Sequence, residues 1–474
     1  MRVSSYSILS DSIPGMGRVL MNGVTGALDL LDDDLGERLK TALDEGKADR
    51  IIDDLDDEVR AQFVERGHLT DWSADEERRI VVILAEAAHE AMRGKPSFMI
   101  VPNLDCNYRC TYCFERPLQN TLKSASAEIT HRKGNVVLRQ EQIGQIYDAI
   151  GGLRAEQGLE AGGQIILYGG EPLDRNNGDV VFPIVREGVE RGYEFAVITN
   201  GHDLDAYMDC LGVGLIGQIQ VSIDGPKAVH DKRRVYVGRG SSFDQIVLNV
   251  RRVLAETDAE IQIRVHVDPA NIHLFGEVID LFEAEGWLDH PQVVIYGNTV
   301  YERSVGGGVL ARIEHGDIDQ ALASIAGRAR NIHTSAPEIH AARSTQPALL
   351  HDERFKLKGT YCSANSGNYI FAPDGAVYAC WESVGKACSR IGRYGADGVA
   401  LDQTMADRWF KRSIASQPGC QTCAYALVCG GGCAQYAEYE TGDLYSAYCD
   451  DFQRVFRSAL ARTVGRTLGA SVEA

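Results

Sequence analysis

Cys106-Asn107-Tyr108-Arg109-Cys110-Thr111-Tyr112-Cys113 is the stretch around which the rest of this chain can be read. Three thiolates at C-x3-C-x2-C spacing can wrap three corners of a cubane iron–sulfur cluster and leave the fourth corner without a protein ligand. A cluster that only carries electrons normally takes four cysteines. Three imply one iron kept open, as a catalytic metal site keeps an exchangeable position. The plainer alternatives are a zinc loop or a group of buried cysteines with no ligand role.

The surroundings of the loop favour a site. An apolar run, Ser97–Leu104, reads as a strand that leads straight into the cysteines. Further strands are expected at Gln164–Tyr168, Glu194–Thr199, Gln218–Ile223, Gln262–Val267 and Gln292–Tyr296. Helices alternate with them: Ile143, Ile146, Ile150 and Leu153 mark one apolar face, and Phe243–Ala255 and Leu274–Glu285 are two more. This alternation predicts an α/β fold, a parallel sheet with right-handed crossovers closed or partly closed into a barrel. Such sheets bind ligands at the carboxyl ends of their strands. Gly169-Gly170-Glu171-Pro172 follows the second strand, Thr199-Asn200-Gly201 closes the third, and Ser222-Ile223-Asp224-Gly225 closes the fourth. Any one of these pieces would be an ordinary turn. Together with the cysteine loop they stand in register at one end of one sheet.

Outside this domain, residues 1–95 read as a small α+β module. Asn22-Gly23 marks a hairpin over Arg18–Leu31, and Leu35, Leu39 and Leu43 fall at helical spacing. A helix carrying Val59 and Phe63 stops at Gly67, and Ser73 with Glu76 forms a capping box for another. One functional reading of this module is recognition of a peptide as an added strand. Residues 96–330 are the strand–helix domain, with Gly306-Gly307-Gly308 as a flexible spot and Ile318–Ala329 as a last helix. Residues 331–358 read as a polar bridge, residues 359–450 as a cysteine-rich domain, and 451–474 as a C-terminal helix and tail packing back on the barrel.

The cysteine-rich part holds Cys362, Cys380, Cys420, Cys423, Cys429, Cys433 and Cys449, whose middle section is C-x2-C-x5-C-x3-C. A structural zinc ribbon is the alternative to iron–sulfur ligation there. Twelve cysteines in a chain of 474 residues that opens on no signal peptide read as metal ligands rather than disulfides, which places the expected compartment in the reducing cytoplasm. The formal charge of −19 argues against a nucleic-acid partner. No apolar run reaches membrane-spanning length, so no membrane association is expected.

On these residues the chain resembles the radical S-adenosylmethionine (radical SAM) enzymes. The resemblance implies a partial (β/α)6 TIM-like barrel, with Cys106, Cys110 and Cys113 as ligands of a [4Fe-4S] cluster. It implies that Tyr112 is presented to the adenine, that Gly169, Gly170 and Glu171 bind the methionine amino group, and that Ser222 lies near the ribose and carboxylate. Arg234 would fork onto the carboxylate, with adjacent Arg233 as the alternative, and Val265 would contact the adenine. Asn200 and Asp224, at the ends of their strands, complete the expected cofactor contacts. The open iron would chelate S-adenosylmethionine, and one electron would cleave it to a 5′-deoxyadenosyl radical that abstracts hydrogen from substrate.

The C-terminal pattern resembles the SPASM domain of radical enzymes that act on peptides. That resemblance implies two auxiliary [4Fe-4S] clusters, three in all. Cys420, Cys423, Cys429 and Cys449 would hold one; Cys362, Cys380 and Cys433 would hold the other. The missing ligand of the latter is Cys388, another side chain or the substrate itself, while Cys210 reads as core. The implied function is a maturase that cross-links a short, ribosomally made precursor peptide through a thioether, ether or carbon–carbon bond. It would draw electrons from a flavodoxin- or ferredoxin-like donor. The alternatives are a formylglycine-generating sulfatase maturase and a non-catalytic electron carrier. The sequence singles out no general base.

Overall fold

The computed structural model describes residues 1–115, 136–300, 302–303, 309–311, 313–351 and 355–469. Gly306-Gly307-Gly308 lies outside the described residues.

Strands β1 (Ser7–Leu9), β2 (Arg18–Asn22) and β3 (Leu28–Leu31) form an antiparallel sheet. The Asn22-Gly23 signal opens the β2–β3 turn, where the Asn22 Oδ1 accepts from the Val24 and Thr25 amides at 2.8 and 3.0 Å. Helix α1 (Asp33–Asp44) starts on Asp32, whose carboxylate accepts from the Leu35 amide, and its Leu35, Leu39 and Leu43 face Leu20, Leu31 and Phe63. Helix α2 (Asp57–Glu65) is followed by Gly67 at φ 83°, a conformation that suits glycine after a helix. Helix α3 (Ala74–Arg93) opens with the reciprocal Ser73–Glu76 bonds at 2.8 and 3.3 Å.

The strand–helix alternation follows. Its elements are β4 (Ser97–Ile100), β5 (Tyr108–Cys110), α4 (Gln140–Glu156), β6 (Gly163–Leu167), α5 (Gly178–Glu190), β7 (Tyr193–Ile198), β8 (Ile216–Ser222), α6 (Lys227–Arg233), β9 (Arg234–Tyr236), α7 (Ser242–Glu256), β10 (Glu260–Val267), α8 (Phe275–Ala284) and β11 (Val293–Thr299). β4, β6, β7, β8, β10 and β11 pair in parallel in chain order. Residues along one face of these strands, among them Ile165, Phe195, Ile219 and Ile263, are fully buried, while those that alternate with them, such as Ile166, Ala196, Gln220 and Arg264, are half-buried.

Helices α9 (His315–Ala326) and α10 (Ala336–Leu350) come next. The second lies within 331–358, the stretch read from the sequence as a polar bridge. Ser335 caps it by accepting from the Glu338 amide, Pro337 sits in its first turn, and its buried Ala341 and Thr345 face inward. The strands β12 (Asn368–Phe371), β13 (Ala376–Tyr378), β14 (Arg390–Gly395) and β15 (Gly398–Leu401) then extend the large sheet. β12 adds in parallel to the free side of β4, and the rest follow as antiparallel hairpins. With β6 on one side and β12 on the other, β4 cannot pair with β11, so the parallel strands form an open, partial barrel. Helices α11 (Ala434–Thr441) and α12 (Phe452–Leu468) end the described chain.

Two compact units result. One holds residues 93–313 and 363–411, with a core that includes Met99, Val101, Tyr168, Ile370 and Tyr378. The other gathers residues 1–92, 314–362 and 412–474. There α12 packs along α10, and its Phe452, Phe456 and Leu460 share a core with Ile8, Val19 and Met21 of the N-terminal sheet and with Tyr425 and Val428. The Tyr6 hydroxyl donates to the Gln421 carbonyl at 2.5 Å.

The N-terminal module is thus built into the cysteine segment of its unit. Deleting residues 1–70 removes Tyr6, Ile8, Val19 and Met21 from shared cores. At about 1.5–3 kcal/mol per large buried side chain, that loss is comparable with the roughly 5–15 kcal/mol that holds a domain together. The expected outcome is an insoluble or molten truncated chain, checked by soluble yield and near-UV circular dichroism. A folded, soluble 71–474 fragment would contradict this packing.

Candidate functional site

The cysteine loop is fastened to the turn after β6 by backbone bonds. The Gly170 amide donates to the Asn103 carbonyl at 3.0 Å and the Glu171 amide to the Asp105 carbonyl at 2.9 Å. Only glycines allow this approach. A Cβ on Gly169, at φ 145°, would lie 2.4 Å from the Asn103 oxygen, and one on Gly170 2.1 Å from the Asp105 oxygen.

Glu171 is 1% exposed and faces protein partners. Its carboxylate accepts from the Thr199 hydroxyl at 2.5 Å, the Asn200 amide at 2.7 Å and the Leu173 amide at 2.9 Å. Burial nevertheless pushes its pKa up to about 7 against these bonds. The carboxylate therefore splices the end of β7 to the turn after β6, and its four lone-pair sites leave room for one further donor. Asn200 reaches the cysteine loop: its Nδ2 donates to the Asn107 Oδ1 at 2.6 Å and lies 3.9 Å from the Cys106 sulfur. The Tyr108 amide donates to the same sulfur at 3.3 Å.

β9 pairs antiparallel with β5, with Arg234 opposite Cys110. Buried Arg234 donates from Nη1 to the Tyr112 hydroxyl at 2.7 Å. That hydroxyl donates in turn to Asp224, and the Arg233 guanidinium stands 5.2 Å from the Tyr112 ring centroid. Asp224 is fully buried beneath β10, where it meets the His266 Nδ1 at 3.0 Å. Burial would raise its carboxyl, but the His266 bond and the Arg234 cation outweigh that and hold it well below the usual carboxylate range. The His266 Nδ1 lies 3.2 Å from the same hydroxyl, so Tyr112 is held by its hydroxyl end by Arg234, Asp224 and His266. Ser222, the last residue of β8, and Val265, on β10 opposite Gly297, are both buried at this level of the sheet.

Several residues with a part here carried no motif. His266 alternates with Val265 along β10, and only strand periodicity placed it near the site. His202 meets the Tyr108 hydroxyl at 3.0 Å and stacks on Tyr236 at 3.9 Å between centroids. Glu115, just past Cys113, accepts from the Tyr168 hydroxyl at 3.3 Å, and burial raises its pKa to about 7.

No cysteine of the chain is in a disulfide. The Cys106 thiol is raised well above its ordinary pKa by burial, then by Glu171 and by neighbouring Cys110 and Cys113. Burial likewise pushes Cys113 up to about 12, with Glu115 and Cys110 adding to it. Three unpaired sulfurs on one short loop, with N–H donors at one of them and a glycine cradle beside it, fit the donor set of an iron–sulfur cluster. The charge of bound iron would favour the thiolates that burial disfavours. Among the described residues no group of three or more His, Cys, Asp or Glu side chains is gathered around a single metal ion.

In the other unit, Cys420 is raised to about 12 by burial and by the neighbouring charges of Cys429, Cys449 and Cys423. Cys429 is raised to about 11 by burial, against its backbone bond to Gly431 and the Lys358 cation, with Cys423 and Cys449 adding to it. These four thiols are electrostatic neighbours. Cys362 and Cys433 belong to the same unit, while Cys380 belongs to the unit of the large sheet. Cys388 is exposed and Cys210 is buried. Among the described residues no helix is long and apolar enough to cross a membrane.

Residues 100–283 match the Radical SAM superfamily, and the chain carries a radical SAM domain. Such a domain implies S-adenosylmethionine and one [4Fe-4S] cluster. A structure of anSMEcpe with bound AdoMet is similar at 15% identity and TM-score 0.56, over 79% of this chain and 99% of that one. Native anSMEcpe with bound AdoMet and Cp18Cys peptide is similar at 16% identity and TM-score 0.55, over 79% and 100%. The crystal structure of Streptococcus suis SuiB is similar at 12% identity and TM-score 0.50, over 94% and 98%. At these identities the likeness is one of fold. No curated protein sequence matches the chain.

Proposed function

We propose that this protein is a radical SAM maturase with a SPASM-type cysteine domain, which cross-links a short precursor peptide oxidatively. The observation that carries the reading is the three-cysteine loop spliced by Gly170 and Glu171 to the ends of β6 and β7. When bound, the cluster and S-adenosylmethionine supply a 5′-deoxyadenosyl radical by one-electron reductive cleavage. Cys106, Cys110 and Cys113 would hold that cluster. Gly169, Gly170, Glu171 and Asn200 would bind the methionine end. Ser222, Arg234 and Asp224 would supply polar contacts, and Val265 and Tyr112 would contact the adenine.

A cross-link formed without net reduction must also release an electron. Cys420, Cys423, Cys429 and Cys449 would hold one auxiliary [4Fe-4S] cluster able to take it, and Cys362, Cys380 and Cys433 the other. The remaining ligand of the second would be Cys388, another side chain or the substrate itself. A flavodoxin- or ferredoxin-like protein in the cytoplasm would feed the system. The peptide in the similar anSMEcpe structure supports a peptide substrate.

The test is anaerobic co-expression with a short peptide encoded beside this gene, followed by high-resolution mass spectrometry. Loss of two hydrogens, dependent on Cys110 and bridging two residues on fragmentation, is the expected result. A change confined to one Cys or Ser side chain turns the reading to formylglycine formation. Unchanged mass, with no deuterium taken up from heavy water, removes the peptide as substrate.

A further inference from the structure

Arg412 has no exposed surface, yet no carboxylate among the described residues pairs with it. Its guanidinium is held by main-chain carbonyls instead. Nε donates to Leu444 at 2.6 Å, Nη1 to Gly432 at 2.9 Å, and Nη2 to Gly431 at 3.0 Å and Ser446 at 2.9 Å. The acceptors belong to two loops that deliver cysteines. Gly431 and Gly432 lie between Cys429 and Cys433, and Leu444 and Ser446 lead to Cys449.

The first loop is shaped to close on this cation. Gly430, Gly431 and Gly432 are all left-handed, at φ 81°, 87° and 73°. A Cβ on Gly432 would stand 1.7 Å from the Tyr448 oxygen, and one on Gly431 2.0 Å from the Gln417 Oε1. Gln417, 2% exposed, shares the acceptors: its Nε2 donates to the Ser446 carbonyl at 3.0 Å. Beyond the second loop, Asp450 and Asp451 hold left-handed backbones at φ 43° and 54°, a strain that persists only where the surroundings impose it.

Burying a guanidinium costs several kcal/mol unless charge offsets it. Carbonyl dipoles supply part of that. The thiols of Cys433, Cys362, Cys420 and Cys429 are electrostatic neighbours of Arg412. As cluster ligands these are thiolates, and reducing a cluster adds a further negative charge.

We propose that Arg412 is a positioning residue for the auxiliary centre: it clamps the Gly430–Cys433 and Leu444–Cys449 loops and serves as the buried counter-charge of the thiolate-ligated iron. The inference rests on the auxiliary-cluster reading above. A fixed cation stabilises the reduced, more negative cluster more than the oxidised one, so Arg412 raises the reduction potential.

The experiment uses the full chain with Cys106, Cys110 and Cys113 changed to alanine, so that any remaining cluster belongs to the C-terminal cysteines. After anaerobic loading with iron and sulfide, iron per chain is measured, and midpoint potentials are read by EPR-monitored titration. In this background Arg412→Met shifts the potential to more negative values, and Arg412→Lys, which keeps the charge, restores it. Gln417→Glu is nearly isosteric and puts a carboxylate beside the guanidinium; it shifts the potential in the same direction and decides the matter if Arg412→Met does not fold. Potentials unchanged in both Gln417→Glu and a folded Arg412→Met overturn the role of Arg412 while leaving the clusters in place. A background protein that binds no iron overturns the cluster reading itself, and this inference with it.

Discussion

Cys110→Ala abolishes formation of 5′-deoxyadenosine from S-adenosylmethionine under anaerobic reduction, down to the level of the reductant alone. Cys110 ends β5 and stands opposite Arg234 on β9, at the centre of the bonded group around Tyr112. No other thiol lies on that strand pair, so the remaining two cysteines would leave two irons without protein ligands. Losing an outer partner of a metal ligand typically costs about 10–100-fold, and losing a ligand of an already three-coordinate set costs more. The measurement is product by liquid chromatography, with iron content and the visible absorption of the cluster read on the same sample. A variant that loses neither product nor iron assigns the cluster elsewhere.

Gly170→Ala gives the second large effect, by a different route. Its Cβ would stand 2.1 Å from the Asp105 oxygen and 2.7 Å from the Leu104 oxygen, both backbone atoms that cannot swing aside as a side chain would. Relief requires the turn to back away from the cysteine loop, breaking the Gly170–Asn103 and Glu171–Asp105 bonds. Two hydrogen bonds at roughly 0.5–1.5 kcal/mol each, with strain of about 1–3 kcal/mol, put the expected destabilisation near 3 kcal/mol. A displacement on the order of 1 Å beside reacting groups costs about 100-fold in rate, so S-adenosylmethionine affinity and 5′-deoxyadenosine formation fall on that scale. Thermal melts and equilibrium dialysis check the two parts. Gly144→Ala is the control: no atom lies within 4 Å of its Cβ position on α4, and alanine there is expected to stabilise the helix by up to about 1 kcal/mol. Equal effects at the two positions would contradict the close-approach argument.

The strands of the large parallel sheet were readable because each is a short apolar run whose pattern differs from the helical spacing of its neighbours. The turn residues at their carboxyl ends could be placed by the same means, and so could the capping bonds of α3, which act within a few residues. α10 escaped notice because its face is made of alanine and threonine, too weakly apolar to show as a stripe in a polar stretch. What joins the pieces was out of reach. The Tyr112–Arg234 bond spans 122 residues, His266 carries no motif, and nothing in the Asn368–Phe371 run says that it adds to the free side of β4.

By itself, then, the sequence determined where the strands and helices of the parallel sheet lie, and that one loop has three cysteines rather than four. Spacing and periodicity are local properties, and they act through backbone geometry over a few residues. Only the tertiary structure decided that β9 clasps β5, that the N-terminal sheet shares its core with Tyr425 and Phe456, and that Arg412 sits among carbonyls without a carboxylate. Each of those depends on which buried surfaces and unpaired polar groups find one another when distant segments pack, and burial of that kind leaves no periodic trace in the chain.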